Sequence, residues 1–118
     1  MRKLLVAAAM IALAPAAAHA ADAEAGKAVF KKCQACHQVD KNAVGPMLKG
    51  IIGRKSGTVE GYTYSEAMKN ANLTWDAATI KEYLADPKKK VPGNKMVFAG
   101  IKDPTDEDNL ITYLETLK

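Results

Sequence analysis

The chain has few cysteines, histidines and aromatic residues. Its 118 residues include two cysteines and two histidines, and only 6% are aromatic. No segment alternates apolar and polar residues over the length of a strand, so a β-sheet is not expected. We find no internal repeat, no low-complexity tract after the N-terminal segment and no linker that would split the remainder. One small domain is the resulting prediction.

Residues 1–20 have the pattern of a secretory signal peptide. Two basic residues precede an apolar run over 4–13, and the segment ends in A-H-A, which is an A-x-A-like cleavage site. A membrane anchor is the alternative, but the run stops at Pro15, well short of the roughly 20 apolar residues that span a bilayer. We predict export to the periplasm, removal of residues 1–20, and a mature domain of residues 21–118 that is not embedded in the membrane.

The charge of the mature chain is only slightly positive. Loss of Arg2 and Lys3 with the signal peptide leaves 15 basic residues against 13 acidic ones, a net charge of about +2. Many of the basic residues lie near one of two segments, which are residues 33–37 with the loop that follows them and the loop that contains Met96. They are Lys31, Lys32, Lys49, Arg54, Lys55, Lys88, Lys89, Lys90 and Lys95. A docking surface and a plain solvated face are both compatible with this clustering. Interleaved aromatic residues are absent, so nucleic-acid binding is not expected.

Helical spacing of apolar residues predicts an all-α domain of about four helices joined by long loops. We expect helices over 23–33, 65–70 and 75–85, and a last helix that carries Leu110 and Leu114 on its apolar stripe. Residues 38–63 contain five glycines and one proline, which are too many breakers for a regular element. Loops of this length are unusual in a small domain, which suggests that a bound group orders them.

Helix ends are also signalled. Thr74 is a candidate N-cap for the third helix, and Pro87 is expected to end it. The last helix has Asp103 as a candidate cap and Pro104 at its first position, followed by acidic residues that favour the positive end of the helix dipole.

Cys33, Cys36 and His37 form the motif C-Q-A-C-H, which is the pattern of covalent haem attachment. The cysteines are three apart, so on a helical turn their thiols project to one side and can bond two vinyl groups of one porphyrin. His37 follows directly and can ligate the iron. A disulfide or a thioredoxin-like redox pair is an alternative, although that fold needs βαβ units. A zinc site would need a fourth ligand that the mature chain does not offer.

His37 is the only histidine of the mature chain, so the opposite face of the iron is left to methionine, to lysine or to no ligand. Met47 follows His37 closely and should stay on the same side, and Met68 reads better as core filler. Met96 lies in V-P-G-N-K-M, on a loop between two helices that can reach the far face. A thioether is a soft ligand that raises the reduction potential.

The chain resembles the class I c-type cytochromes, close to mitochondrial cytochrome c and the short bacterial cytochromes c2. The resemblance covers essentially the whole mature sequence. It rests on C-Q-A-C-H, V-G-P-M-L-K-G, G-R-K-S-G, G-Y-T-Y-S-E-A-M-K-N, L-T-W and P-K-K-K-V-P-G-N-K-M-V-F-A-G-I-K. It implies a small all-α fold wrapped around one covalently attached haem c, with His37 and Met96 as the iron ligands.

The resemblance also implies roles for residues that would otherwise read as ordinary half-buried side chains. Pro46 would accept a hydrogen bond from His37, and Tyr83 would point toward the sulfur of Met96. Tyr64 and Trp75 would bind a haem propionate, with Arg54 offsetting its charge. The first and last helices would pack through Gly26, Phe30, Leu110 and Tyr113. Two positions depart from the family pattern, with Asn94 in place of the usual Thr and Met68 in place of the usual Asn.

The function that these residues imply is that of a soluble periplasmic one-electron carrier, not an enzyme. Its partners would be membrane redox complexes with acidic docking surfaces, such as a bc1-type donor and an oxidase or reaction-centre acceptor, and it would act as a monomer. A five-coordinate haem sensor or peroxidase is the alternative. A permanent subunit of a larger oxidase is a third possibility.

Overall fold

The structure, a computed structural model, describes residues 21–118, and in that range it contains five helices and no β-strand. They are α1 (Ala23–Phe30), α2 (Glu66–Lys69), α3 (Ala77–Ala85), α4 (Pro87–Lys90) and α5 (Pro104–Glu115). The all-α prediction is confirmed, with two of the five helices only four residues long. None of these helices is long and apolar enough to cross a membrane. The predicted signal peptide lies outside the described residues.

The first and last helices cross in close contact and form the centre of the core. Gly26 of α1 lies directly against the backbone of Asn109 in α5, where no side chain would fit, because an added Cβ would lie 1.9 Å from the Asn109 carbonyl oxygen. One turn further along, the rings of Phe30 and Tyr113 pack with centroids 5.1 Å apart. Phe30 and Leu110 are almost fully buried in the same cluster. This crossing fixes the end of α1, from which the cysteine motif continues.

Two of the predicted helix ends were wrong. The helix predicted over 23–33 ends at Phe30 and continues as hydrogen-bonded turns through the cysteine motif. The N-cap of α3 is Asp76, whose carboxylate accepts from the Thr79 N–H at 2.8 Å, and not Thr74. Thr74 is unsuitable because it pairs in an antiparallel bridge with Lys55 and so belongs to a different local structure.

Other predicted ends were confirmed, with one addition. Asp103 caps α5 by accepting from the Thr105 N–H at 2.8 Å, and Pro104 is its first residue. Helix α3 ends before Pro87, as expected, but this proline then opens the short helix α4, which the sequence did not predict. Proline suits this position because the first helical residue needs no N–H partner.

The C-terminal end of α3 supports the chain that follows Met96. The Ile101 N–H donates to the Leu84 carbonyl at 2.7 Å, and the Lys102 ammonium donates to the Ala85 carbonyl at 3.1 Å. Gly100 passes so close that an added Cβ would lie 2.3 Å from the Ala85 oxygen, and its φ is +111°. Carbonyls that a helix end leaves unpaired therefore anchor this side of the Met96 loop.

Candidate metal centre

The cysteine motif lies on tight turns that extend α1. The His37 N–H and the Cys36 N–H both donate to the Cys33 carbonyl, at 2.8 and 3.1 Å. Both cysteines are half-buried free thiols. Burial raises the pKa of the Cys33 thiol, although the nearby Lys32 acts in the opposite direction. Helical hydrogen bonding thus places both thiols and the imidazole within one turn of chain, as the motif predicts.

His37 has the geometry of a preorganised metal ligand. Its Nδ1 lies 2.9 Å from the Pro46 carbonyl oxygen, which can only accept, so Nδ1 carries the proton and Nε2 is left as a lone-pair donor. Burial lowers the pKa of His37, with the Pro46 hydrogen bond acting against it, so the neutral ligand form is favoured. The predicted contact between His37 and Pro46 is present.

Gly45 gives the imidazole its space. A Cβ at this position would lie 2.3 Å from Cε1 and 2.7 Å from Nδ1 of His37. The Gly45 N–H donates to the Cys36 carbonyl at 2.8 Å, which ties this segment to the cysteine turn. The ring is therefore held against bare backbone on one side.

Met96 lies on the loop between α4 and α5, half-buried against the core. The Tyr83 hydroxyl from α3 lies 3.8 Å from the Met96 sulfur, as the resemblance implies. Burial raises the pKa of Tyr83 to about 12, so the phenol stays protonated and can donate to that sulfur. A hydrogen bond to one sulfur lone pair also limits the rotation of the thioether.

Asn94 braces the Met96 loop, a role that the sequence did not reveal. Its amide nitrogen donates to the Pro87 and Val91 carbonyls of the α4 turn, both at 2.9 Å, and its oxygen accepts from the Met96 N–H at 2.8 Å. Asn94 is 4% exposed. Two of these hydrogen bonds are donated, and the hydroxyl of the usual threonine has only one proton to donate. Its departure from the family pattern was the only available signal.

The residues predicted to bind a propionate have other partners in the structure. Arg54 donates to the carbonyls of Met47 and Lys49, at 2.8 and 2.5 Å. The Tyr64 hydroxyl accepts from the Val59 N–H at 3.1 Å. Trp75 is buried, with its ring centroid 5.0 Å from that of Tyr83. These contacts hold the loops in place, and the propionate role of Arg54, Tyr64 and Trp75 stays a prediction.

The donor set and its surroundings fit a covalently attached haem. Two free thiols, one imidazole nitrogen and one thioether sulfur are the groups that attach and ligate haem c. Cys33 and Met96 pack against the apolar core, as do the partly buried side chains of Leu48, Leu84 and Phe98. The zinc alternative gains no support, because in residues 21–118 no three His, Cys, Asp or Glu side chains form a possible metal site. Fold and site together define a small helical haem protein.

Comparisons with known proteins agree. The family model described as cytochrome c matches residues 23–118. Cytochrome c2 of Blastochloris viridis is 48% identical over 118 residues, covering 98% of this chain and 93% of that protein. Cytochrome c-550 of Nitrobacter winogradskyi is 58% identical over 96 residues, covering 79% and 88%. The solved structure of cytochrome cH from Methylobacterium extorquens has a TM-score of 0.79 at 56% identity, covering 80% of this chain and 98% of that one.

The chain belongs to the cytochrome c family. It carries one covalently attached haem c, for which Cys33 and Cys36 of C-Q-A-C-H are present. It is an electron carrier and not an enzyme, as the relatives named cytochrome c2 and c-550 indicate. The predicted fold class, cofactor and lack of an enzymatic role are thereby confirmed.

Proposed function

We propose that this cytochrome is a soluble, periplasmic, monomeric one-electron carrier whose haem iron is held by His37 and Met96. Cys33 and Cys36 bind the porphyrin, and residues 1–20 direct export and are removed. The observation that carries the proposal is the pair of preorganised ligands. Pro46 leaves His37 with one free nitrogen, and Tyr83 and Asn94 hold the sulfur and backbone of Met96. Electron transfer then needs no change of ligands when the iron is reduced.

An optical spectrum tests the ligand set against the five-coordinate alternative. We expect the oxidised protein to show the near-infrared charge-transfer band of sulfur–iron ligation. The reduced protein should be low-spin and should take up no carbon monoxide at neutral pH, because both axial positions are filled. A high-spin iron that binds carbon monoxide readily would instead support a haem sensor or peroxidase.

The charges around Met96 support docking onto acidic surfaces of membrane redox complexes, such as a bc1-type donor and an oxidase or reaction-centre acceptor. Several lysines there are held by contacts within the chain. Lys88 donates to the Asn94 carbonyl at 3.1 Å, Lys90 pairs with Glu82, and Lys95 contacts the Thr63 carbonyl. Lys88 and Lys95 therefore present positive charge at defined positions, whereas the charge of Lys90 is offset by Glu82. Lys89, between Lys88 and Lys90, is exposed.

The docking proposal predicts how the electron-transfer rate depends on salt. The bimolecular rate with a bc1-type complex should fall as ionic strength rises, because salt screens the attraction that steers association. Lys89→Gln should lower the rate at low salt and flatten this dependence. Lys118→Gln, which removes the same charge from an exposed residue at the C-terminus, is the matched control. Equal effects of the two variants, or a rate that does not fall with salt, would contradict docking through the lysines near Met96.

A further inference from the structure

Asn42 contacts the peptide unit that orients the proximal histidine. The Met47 N–H donates to the Asn42 side-chain oxygen at 2.9 Å, and the Pro46 carbonyl accepts from His37 Nδ1 at 2.9 Å. That N–H and that carbonyl belong to the single planar amide between Pro46 and Met47. A continuous chain of two hydrogen bonds and one amide therefore runs from the Asn42 side chain to the imidazole.

The other contacts of Asn42 and Met47 fix the direction of this series of hydrogen bonds. The Asn42 amide nitrogen donates to the Glu60 carbonyl at 3.0 Å, so its oxygen is the atom that faces the Met47 N–H. A flipped amide would set donor against donor and acceptor against acceptor. On the other side of Met47, its own carbonyl accepts from Arg54 at 2.8 Å. The Pro46–Met47 amide is thus held at its N–H by Asn42, and Arg54 holds the next carbonyl along the chain, so this amide cannot easily turn away from His37.

We propose that Asn42 is a positioning residue that tunes the reduction potential through this amide. Hydrogen bonds in a series polarise one another. The hydrogen bond that Asn42 accepts from the Met47 N–H therefore makes the Pro46 carbonyl a stronger acceptor. A stronger acceptor at Nδ1–H makes the imidazole a more basic ligand. A more basic ligand stabilises ferric iron over ferrous iron and lowers the potential. The inference rests on the proposed ligation by His37.

A purely structural role must be separated from tuning, because Asn42 also ties two loops together through Glu60. Tyr62 provides the control. Its hydroxyl donates to the Val44 carbonyl at 2.8 Å and joins the same two segments of chain, but it makes no hydrogen bond to the Pro46–Met47 amide. Tyr62→Phe therefore removes a comparable tether and leaves the hydrogen-bond chain to His37 intact.

The test compares midpoint potentials of the haem-loaded variants at about 1 M salt, where exposed charges are screened beyond roughly 3 Å. Asn42→Ala should raise the ratio of reduced to oxidised protein about two-fold at a fixed solution potential, given that one bond alters its neighbour by roughly 10–30%. The NMR resonance of the His37 Nδ1 proton should shift toward a weaker hydrogen bond. Tyr62→Phe should lower thermal stability and leave both quantities unchanged.

A second variant keeps the proposal testable if Asn42→Ala folds poorly. Asn42→Asp retains an acceptor for the Met47 N–H, and an ionised one is stronger. Like Asn42→Ala, it loses the hydrogen bond to the Glu60 carbonyl, so the two variants differ in the acceptor that they offer to Met47. Its potential and its His37 proton resonance should move in the opposite direction from those of Asn42→Ala. Equal potentials in wild type, Asn42→Ala and Asn42→Asp would overturn the tuning role alone. Absence of the sulfur–iron band from the wild-type protein would overturn ligation by Met96 and leave this inference standing, whereas an iron not bound by His37 would overturn both the ligand proposal and this inference.

Discussion

Replacement of Met96 by alanine is expected to remove the near-infrared sulfur–iron band and to lower the midpoint potential by at least about 0.1 V. Axial ligands set haem potentials over a range of roughly 0.8 V, so loss of a thioether that favours ferrous iron is a large change. The reduced variant should also bind carbon monoxide, because one axial position becomes accessible. Absorption spectroscopy and redox titration of the purified variant measure all three effects.

The other two methionines of residues 21–118 serve as controls for this experiment. Met68 is buried in the core on α2, and the Met47 backbone is held by Asn42 and Arg54. Met68→Leu and Met47→Leu should therefore keep the band, whatever they do to stability. A Met96→Ala protein with the wild-type spectrum and potential would show that another side chain binds the iron. If Met96→Ala kept the wild-type spectrum and Met68→Leu lost the band, the ligand would be Met68.

Gly26→Ala is expected to destabilise the haem-loaded protein by about 3 kcal/mol, the upper part of the range for overpacked cores. Helix propensity alone predicts the opposite sign, since Ala stabilises a helix by roughly 1 kcal/mol relative to Gly. The steric clash outweighs helix propensity here, because the new Cβ would lie 1.9 Å from the Asn109 carbonyl oxygen and 2.8 Å from the Tyr113 Cβ. The Asn109 backbone cannot move aside without separating α1 from α5.

Thermal unfolding measures this effect, with an expected fall in Tm of roughly 12–24 °C for a domain of this size. Lys27→Ala, at the exposed neighbouring position of α1, is the control and should change stability by no more than about 0.5 kcal/mol. A Gly26→Ala protein as stable as wild type would mean that the two helices do not cross at this glycine.

Much of the fold was predictable because the signals are local. Apolar spacing marked α3 and α5, and Asp103 with Pro104 marked the start of α5 correctly. The N-cap of α3 was assigned to Thr74 because both Thr74 and Asp76 are capping residues. Only the bridge from Thr74 to Lys55, far back along the chain, removes Thr74 from that role. Local patterns do not report pairing at such a distance.

The residues of the candidate site also fall into those that the local sequence indicates and those that it does not. The cysteine motif, His37 and Met96 could be named as candidates, because residues 21–118 contain only two cysteines, one histidine and three methionines. The braces Asn42 and Asn94 could not, since an asparagine in a glycine-rich loop reads as an ordinary turn residue. Their roles depend on which backbone groups the fold brings to each amide.

The amino-acid sequence by itself determined the attached cofactor and the candidate ligands, because thiols, imidazole and thioether are chemical identities that do not depend on conformation. It also determined the all-α class, through the helical spacing of its apolar residues. Tertiary structure alone decided how those ligands are held. The contacts of Pro46 with His37 and of Tyr83 with Met96 join groups that are 9 and 13 residues apart, and Asn42 reaches Glu60 across 18. Hydrogen bonds require specific distances and angles, and only the folded chain sets these for residues so far apart.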